Sequence, residues 1–539
     1  MRKRLPRSVG SMKSFLFKFY GSLIALLISI QSYAQVLSYS GVEIEYQYTA
    51  SFIGLLNVST YNELSASEKK EALTSEAQFH FEHLFGFFQS PDYAKKFKID
   101  TDLTEGFAGP SEASLTNVKA ASLEGQNVEI QYNAKGKALV HKNVAKAWLK
   151  KGSVVLPLLY DFSKIYKNPT SFRLDLVFPE EYLNTKWQTC TDSHYKGASD
   201  FSYFYNPYSS KEPCSDLKSS PLARDVKITV KPVLSNESLS RLSKKSIPLN
   251  RLKSDNENGK LFVTYFIQGF DHMTRKKTTR SVVNRDSGSK VYKYVNAKFK
   301  SLGFKRMGSK SEFLEWLDED QDQIHLLTGV TLDHLDQKRF ISTWVKEMKD
   351  SSGKNIKAVV RNGLFHSENT IESNPLSSFA KFWKEAWENA DYLHYGGHSG
   401  DGISMSIDTM DVNFESLGIE PIVFNKDKYQ IAYFDACSTY SHYMDTYLKQ
   451  KNGKNLNLFT YGLVSLFKSA AATIDTVVDL FFNQNGKTTT WLSFMESMEK
   501  SHLAPHVESD WDKADWESQK QYYLERKIYP TYLLNASGL

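Results

Sequence analysis

Beyond the first 34 positions the chain has no uncharged apolar run of about 18 residues, so no later segment reads as a membrane-spanning helix. Net charge is equally scarce. The formal +6 is matched by Arg2, Lys3, Arg4, Arg7, Lys13 and Lys18, and residues 1–34 carry no acidic side chain. The rest of the chain is neutral overall, which gives no electrostatic footprint for nucleic acid or an anionic bilayer. Internal repeats and low-complexity tracts are absent too. Cysteine is limited to three in 539 residues. With 41% apolar, 24% charged and 14% aromatic residues, what is present is the composition of a folded globular protein. Its length predicts two or three domains.

Residues 1–34 read as a secretory signal. A basic start leads into "GSLIALLISI" (21–30) and then "QSYAQ", with Ala34 as the last residue before cleavage. Met12 opens a complete signal of the same kind. An uncleaved anchor is the alternative, but its core is about half the length needed to span a bilayer. The expectation is an exported protein in the periplasm, on the cell surface or outside the cell, with no stable membrane insertion. Export suits the cysteines. Cys190 and Cys214 bracket an aromatic, turn-rich loop and would pair in an oxidising compartment, a closure worth about 3 kcal/mol in the chain-entropy model. Cys437 is left over, either as a small buried hydrophobe or as a group kept for chemistry.

Alternating segments at 42–52, 127–134, 171–178 and 225–234, with a helical stretch at 65–88, predict a β-rich N-terminal domain over 35–235. His80 and His83 lie in that helix on an aromatic background, where packing outweighs metal binding. The polar, serine-rich stretch 236–259 reads as a linker. From residue 260 to 539 the rhythm is that of an α/β domain with a C-terminal helical region. Strands are expected at 261–270, 324–330, 356–364, 391–397, 429–436 and 457–462. Helices are expected at 288–304, 336–348, 376–390 and 441–449, with a long helical region through Phe482. Strand alternating with helix predicts a mainly parallel sheet with helices on both faces, and such sheets bind ligands at the carboxyl ends of their strands.

Two strand ends carry chemistry. "DYLHYGGHSG" (391–400) delivers His398 within a glycine-rich turn, and "YQIAYFDACSTY" (429–440) delivers Cys437. A thiolate attacks carbonyls, an imidazole takes the proton and returns it to a leaving amine, and turn amides hold the oxyanion. Competing motifs are weaker. His394 and His398 are separated by glycines that disfavour a helical zinc pair. "DEDQDQ" (318–323) lacks the glycine and the glutamate of a calcium loop. "GHSGD" has Asp401 where a serine-hydrolase elbow needs glycine. No metal and no cofactor is expected.

An apolar strand ending in a Gly-flanked histidine, then 39 residues later one ending in Ala-Cys, resembles the caspase/gingipain/clostripain group of cysteine peptidases over residues 258–500. The resemblance implies a caspase-like fold, protein or peptide substrates, His398 as general base and Cys437 as nucleophile. It assigns the oxyanion hole to the amides of Ser399 and Cys437, although the family usually has glycine where Ser399 stands. Asp435 matches an acidic residue that lines a Lys/Arg pocket in bacterial and metacaspase-like members; capping the next helix is its other role. Arg280 and Arg285 fall where caspases hold an arginine that reads an acidic residue, so both pocket readings stand, with Lys/Arg favoured. The basic loop 274–285 is a solvated loop or a self-processing site. The rival class is a catalytically silent surface or adhesion module whose N-terminal domain binds a partner. Peptide mapping of oxidised protein is expected to link Cys190 to Cys214 and leave Cys437 alkylatable; a disulfide from Cys437 to either would remove the nucleophile.

Overall fold

The structure is a computed structural model, described for residues 36–89, 96–97, 110–166, 187, 220–252, 254–256, 259–270, 286–317, 341–349, 353–365, 376–400, 402, 404–437, 439–462, 465, 467–483, 489–501 and 532–535. The signal segment expected at 1–34, Cys190, Cys214, Arg280, Arg285 and the strands expected at 171–178 and 324–330 lie outside the described residues.

Within them the strands are β1 (Val36–Leu37), β2 (Gly41–Asn57), β3 (Pro110–Ser122), β4 (Asn127–His141), β5 (Ser153–Leu159), β6 (Ala223–Pro232), β7 (Ser254–Asn256), β8 (Gly259–Gly269), β9 (Lys305–Arg306), β10 (Ile341–Lys349), β11 (Asn355–Phe365), β12 (Tyr392–Gly396), β13 (Gln430–Asp435), β14 (Leu456–Tyr461) and β15 (Tyr532–Asn535). They make two sheets.

The first is antiparallel, in the order β3-β4-β2-β6-β5. Along β2, Ile44, Tyr46, Tyr48, Ala50 and Phe52 are buried while Gln47 and Thr49 are exposed, the two-residue period of a sheet with one covered face. Helix α1 (Ala66–Gln89) covers it with Leu73, Ala77, Phe81 and Leu84. His80 and His83 belong to this core. His80 bonds the Tyr132 hydroxyl and Leu159 O, both at 2.6 Å, and His83 bonds Tyr166 Oη at 2.9 Å. Burial pushes them down to about 4 and about 3.

The second sheet runs β1-β15-β14-β13-β12-β8-β11-β10-β9, with β7 also on β8. Its five central strands, β14 to β11, are parallel. Both faces of these strands are covered, which is why they read as unbroken apolar runs. Helices α2 (Ser287–Ser301), α3 (Leu376–Asn389), α4 (Ile407–Ser416), α5 (Thr439–Gln450), α6 (Ala470–Phe482) and α7 (Trp491–Ser501) do the covering. On one face Phe262, Phe266, Ile431 and Tyr433 pack with Val295 of α2, Ile474 of α6 and Phe494 of α7. On the other, Tyr265, Ile267, Tyr395 and Phe434 pack with Trp383 of α3, Phe414 of α4 and Tyr447 of α5. The chain is therefore mixed α/β with a parallel centre.

Two expectations change. Residues 341–349, expected within a helix at 336–348, form strand β10, paired antiparallel with β11 from Ile341↔Gly363 to Lys349↔Asn355. Ile341 and Val345 share one face while Trp344 takes the other, so the same residues satisfy a period of two. Pairing to a central strand decides between the patterns. Stretch 236–259 is also more than an open connection. It holds a helix at Asn236–Ser243, a 3-10 turn at Leu249–Leu252 and β7, with Leu242 and Leu252 buried. Ile247 N–H donates to Thr489 O at 3.0 Å, and Trp491 N–H to Lys245 O at 3.0 Å, tying the stretch to the start of α7.

The two sheets are joined through α5. Leu139 of β4 packs in the core that α5 helps build, and Tyr440 Oη of α5 donates to Glu43 Oε1 of β2 at 3.1 Å. Burial pushes Glu43 up to about 7, against the opposing pull of Lys137 and of the Tyr440 bond. A carboxyl raised on folding binds its proton more tightly in the native state. Its contribution is therefore complete below the ordinary carboxylate range and is lost as pH rises through about 7. Denaturant unfolding is expected to show stability falling between pH 5 and pH 8, with Glu43→Gln removing up to about 3 kcal/mol of that fall. An unchanged pH slope in that variant would show that Glu43 is not the group responsible.

Candidate active site

The parallel centre has a reversal of strand order. From β8 the chain goes to β11 on one side, then returns to lay down β12, β13 and β14 on the other. Open α/β sheets form their binding crevice beyond the carboxyl ends of the strands at such a point. Here that edge is formed by β8, β12 and β13.

Strands β12 and β13 are in parallel register from Tyr392↔Ile431 to Gly396↔Asp435. The pairing reaches one step further, with Gly397 N–H donating to Asp435 O at 3.2 Å. His398 and Cys437 each follow two residues beyond the last rung of that ladder, at the carboxyl ends of neighbouring strands. Both are half-buried, so both meet solvent.

Beyond β14, Ser465 and Phe467, the latter opening a 3-10 turn, reach them. Ser465 O accepts from Cys437 Sγ at 3.7 Å, and the Phe467 ring meets the His398 imidazole edge-on at 5.6 Å. Ser465 Oγ also donates to Asp435 Oδ1. Ser465 and Phe467 thus contact all three side chains. Cys437 itself stands two residues before α5, so the positive end of that helix dipole lies where a thiolate would form.

The glycines before His398 have a steric reason. A Cβ on Gly396 would lie 2.8 Å from Gln268 Oε1, and one on Gly397 would lie 2.8 Å from Tyr395 Oη and 3.2 Å from the Gly269 Cα. The turn runs flat against the end of β8. Tyr395 Oη donates to His398 O at 2.8 Å. In a planar trans peptide this turns Ser399 N–H to the opposite side, away from that ring. Ser399 O is held from below by Tyr443 Oη and by Ser404 N–H, the latter at 3.1 Å. Positive φ occurs at Gly400 and not at Ser399, so a side chain at 399 strains no backbone.

Asp435 is buried at 3% exposure inside the edge. Desolvation pushes its carboxyl up to about 7, opposed by the Ser465 and Tyr433 hydroxyls. On the same face one strand beyond Gly396 is Gln268, fully buried, with neither amide atom hydrogen-bonded. An unsatisfied buried amide is unusual. His394, one turn of the pleat deeper, is stacked on Phe266 and pushed down to about 3 by burial, a packed residue and not a ligand. Among the described residues no cluster of three His, Cys, Asp or Glu side chains has the arrangement of a metal site.

Of the sequence candidates, His398, Ser399, Asp435 and Cys437 converge. Gln268, Ser465 and Phe467 escaped notice. Gln268 had a signal, being the one polar side chain at the carboxyl end of the run "LFVTYFIQGF"; Ser465 and Phe467 come after a strand that offered no catalytic residue type. No family model matches the chain, and no curated protein matches it either.

The close fit at Gly397 is expected to make Gly397→Ala lose about 1–3 kcal/mol in denaturant unfolding, because the obstructing atoms include backbone. Gly125→Ala, whose nearest contact would be 3.6 Å away, is the control and should stay within about 0.5 kcal/mol. Equal stability of the two variants would contradict the packed turn.

Proposed function

We propose that the chain is an exported cysteine endopeptidase with a caspase-like α/β domain and a His398/Cys437 dyad. The observation that supports this reading is that β12 and β13, neighbours in parallel register, end just before His398 and Cys437, with Cys437 against Ser465 and His398 against Phe467.

The steps follow from the groups present. His398 accepts the Cys437 proton, and the thiolate forms a bond to the scissile carbonyl carbon. The carbonyl π electrons move to oxygen, and the oxyanion is received by the amides of Ser399 and Cys437. Collapse breaks the C–N bond as the imidazolium gives its proton to the leaving amine. Water, deprotonated by His398, then attacks the thioester, and departure of the sulfur restores the dyad.

Specificity is proposed to come from Asp435. A lysine or arginine side chain entering beside Gly396 would supply the cation that a buried carboxylate lacks, and Gln268 Oε1 would accept a further hydrogen bond. Because Asp435 loses its proton near pH 7, KM for such peptides should fall as pH rises through 7.

A thiol-directed peptidyl probe is expected to label the wild-type chain but not Cys437→Ala, and His398→Ala should lower kcat/KM by at least about a thousandfold. Asp435→Asn should raise KM for Lys/Arg peptides and abolish its pH dependence. Labelling that is absent, or unchanged in Cys437→Ala, would leave a silent module of the same fold. Better cleavage after acidic residues would move the pocket to Arg285.

A further inference from the structure

The first sheet contains an opening. Strands β2 and β6 pair only from Ile44↔Pro232 to Gln47↔Thr229. Beyond that point β2 continues along β4 and β6 continues along β5, without pairing to each other. The opening closes again at Ile53, whose N–H donates to Tyr160 O at 2.7 Å beside a bridge to Asp161. Five residues of β2, 48–52, therefore face five of β6, 224–228, across a gap.

The direction of the backbone groups follows from the bonds at either end. Val233 N–H donates to Glu43 O at 3.1 Å, and Val230 N–H donates to Gly152 O at 3.1 Å. Odd-numbered residues of β6 thus point their amides toward β2, and even-numbered ones toward β5. Glu43 O and Ile53 N–H show that odd-numbered residues of β2 point toward β6. By the two-residue alternation of antiparallel strands, Thr49 and Ser51 on one side and Asp225 and Lys227 on the other present N–H and C=O groups to the gap. Among the described residues no strand pairs with these edges. A cavity of about 550 Å³ occupies the space, lined by these four with Tyr48 and Arg224 among others. That is the size of a small-ligand site.

The charges exclude most ligands. Arg224 is engaged at one end, over the Tyr160 ring at 3.2 Å and 3.7 Å from Glu129. Asp225 and Lys227 remain, one of each sign, so neither phosphate nor a carboxylate-rich ligand is favoured. Two facing rows of main-chain donors and acceptors match one chemical class, another main chain in extended conformation.

We infer that the opening between β2 and β6 binds an extended peptide segment of another protein, about five residues long, by strand insertion. The inserted strand hydrogen-bonds Thr49 and Ser51 on one flank and Asp225 and Lys227 on the other, parallel to one and antiparallel to its opposite. This site uses neither His398 nor Cys437, and stands whether or not the chain is a peptidase.

Amide hydrogen exchange on the full chain carrying Cys437→Ala, which prevents turnover, tests it. The probe is a pool of capped pentapeptides of Ser, Thr, Val and Lys, compared with the same pool N-methylated at alternate residues. In the free protein the amides of Thr49, Ser51, Asp225 and Lys227 are expected to exchange at least tenfold faster than those of their strand neighbours. The pool should slow them at least tenfold, and the N-methylated pool should not. Protection already present without peptide would mean that the chain fills its own opening and would overturn the inference. So would exchange that peptide leaves unchanged, or equal protection by the N-methylated pool.

Discussion

The parallel ladder between β12 and β13 is the constraint on which the rest depends. Five residue pairs, Tyr392↔Ile431 to Gly396↔Asp435, fix the relative height of two strands whose next residues carry an imidazole and a thiol. A slip of β13 by one residue would exchange the faces of Phe434 and Tyr433 while those of β12 stayed in place. Aromatic packing on both faces opposes such a slip, since Trp383 lies against Tyr395 and Phe434 on one side and Phe266 against His394 on the other. Burial of these large rings thus sets a register whose consequence appears at the solvent edge.

The site is assembled by what lies beneath it. Tyr395 and Tyr443, both buried, take the carbonyls of His398 and Ser399 and so decide which way the turn's amides point. Thr439 Oγ1 donates to Phe434 O at 3.0 Å and accepts from Tyr461 N–H at 2.6 Å, seating the start of α5 between β13 and β14. Behind α5, Tyr440 reaches Glu43 of the first sheet. The antiparallel sheet is thereby in contact with the helix that begins just after Cys437, although its own opening lies on different strands.

Much of this was legible in the sequence. Strands β8, β11, β12, β13 and β14 are buried on both faces and appear as short apolar runs, so their existence and the residues that follow two of their ends could be read directly. Residues 341–349 could not, because Ile341, Trp344 and Val345 fit a helical spacing as well as an alternating one, and only the pairing with β11 distinguishes them. The edge strand β1 and its neighbour β15 are two and four residues long, too short for any period, and they meet across the length of the chain. Gln268 illustrates a different limit. Its identity was visible, but a buried amide becomes informative only once its lack of partners is known. Ser465 and Phe467 matter through contacts with residues 28 and 69 positions away, which no local pattern encodes.

The central claim is spatial, and a reagent with two thiol-alkylating groups and a reach of one strand spacing, about 5 Å, measures it most directly. In a His398→Cys variant, treated while folded and then digested, the account predicts a cross-linked peptide pair containing positions 398 and 437. Separate single alkylation of the two thiols, with no cross-link between them until the chain is unfolded, would contradict it.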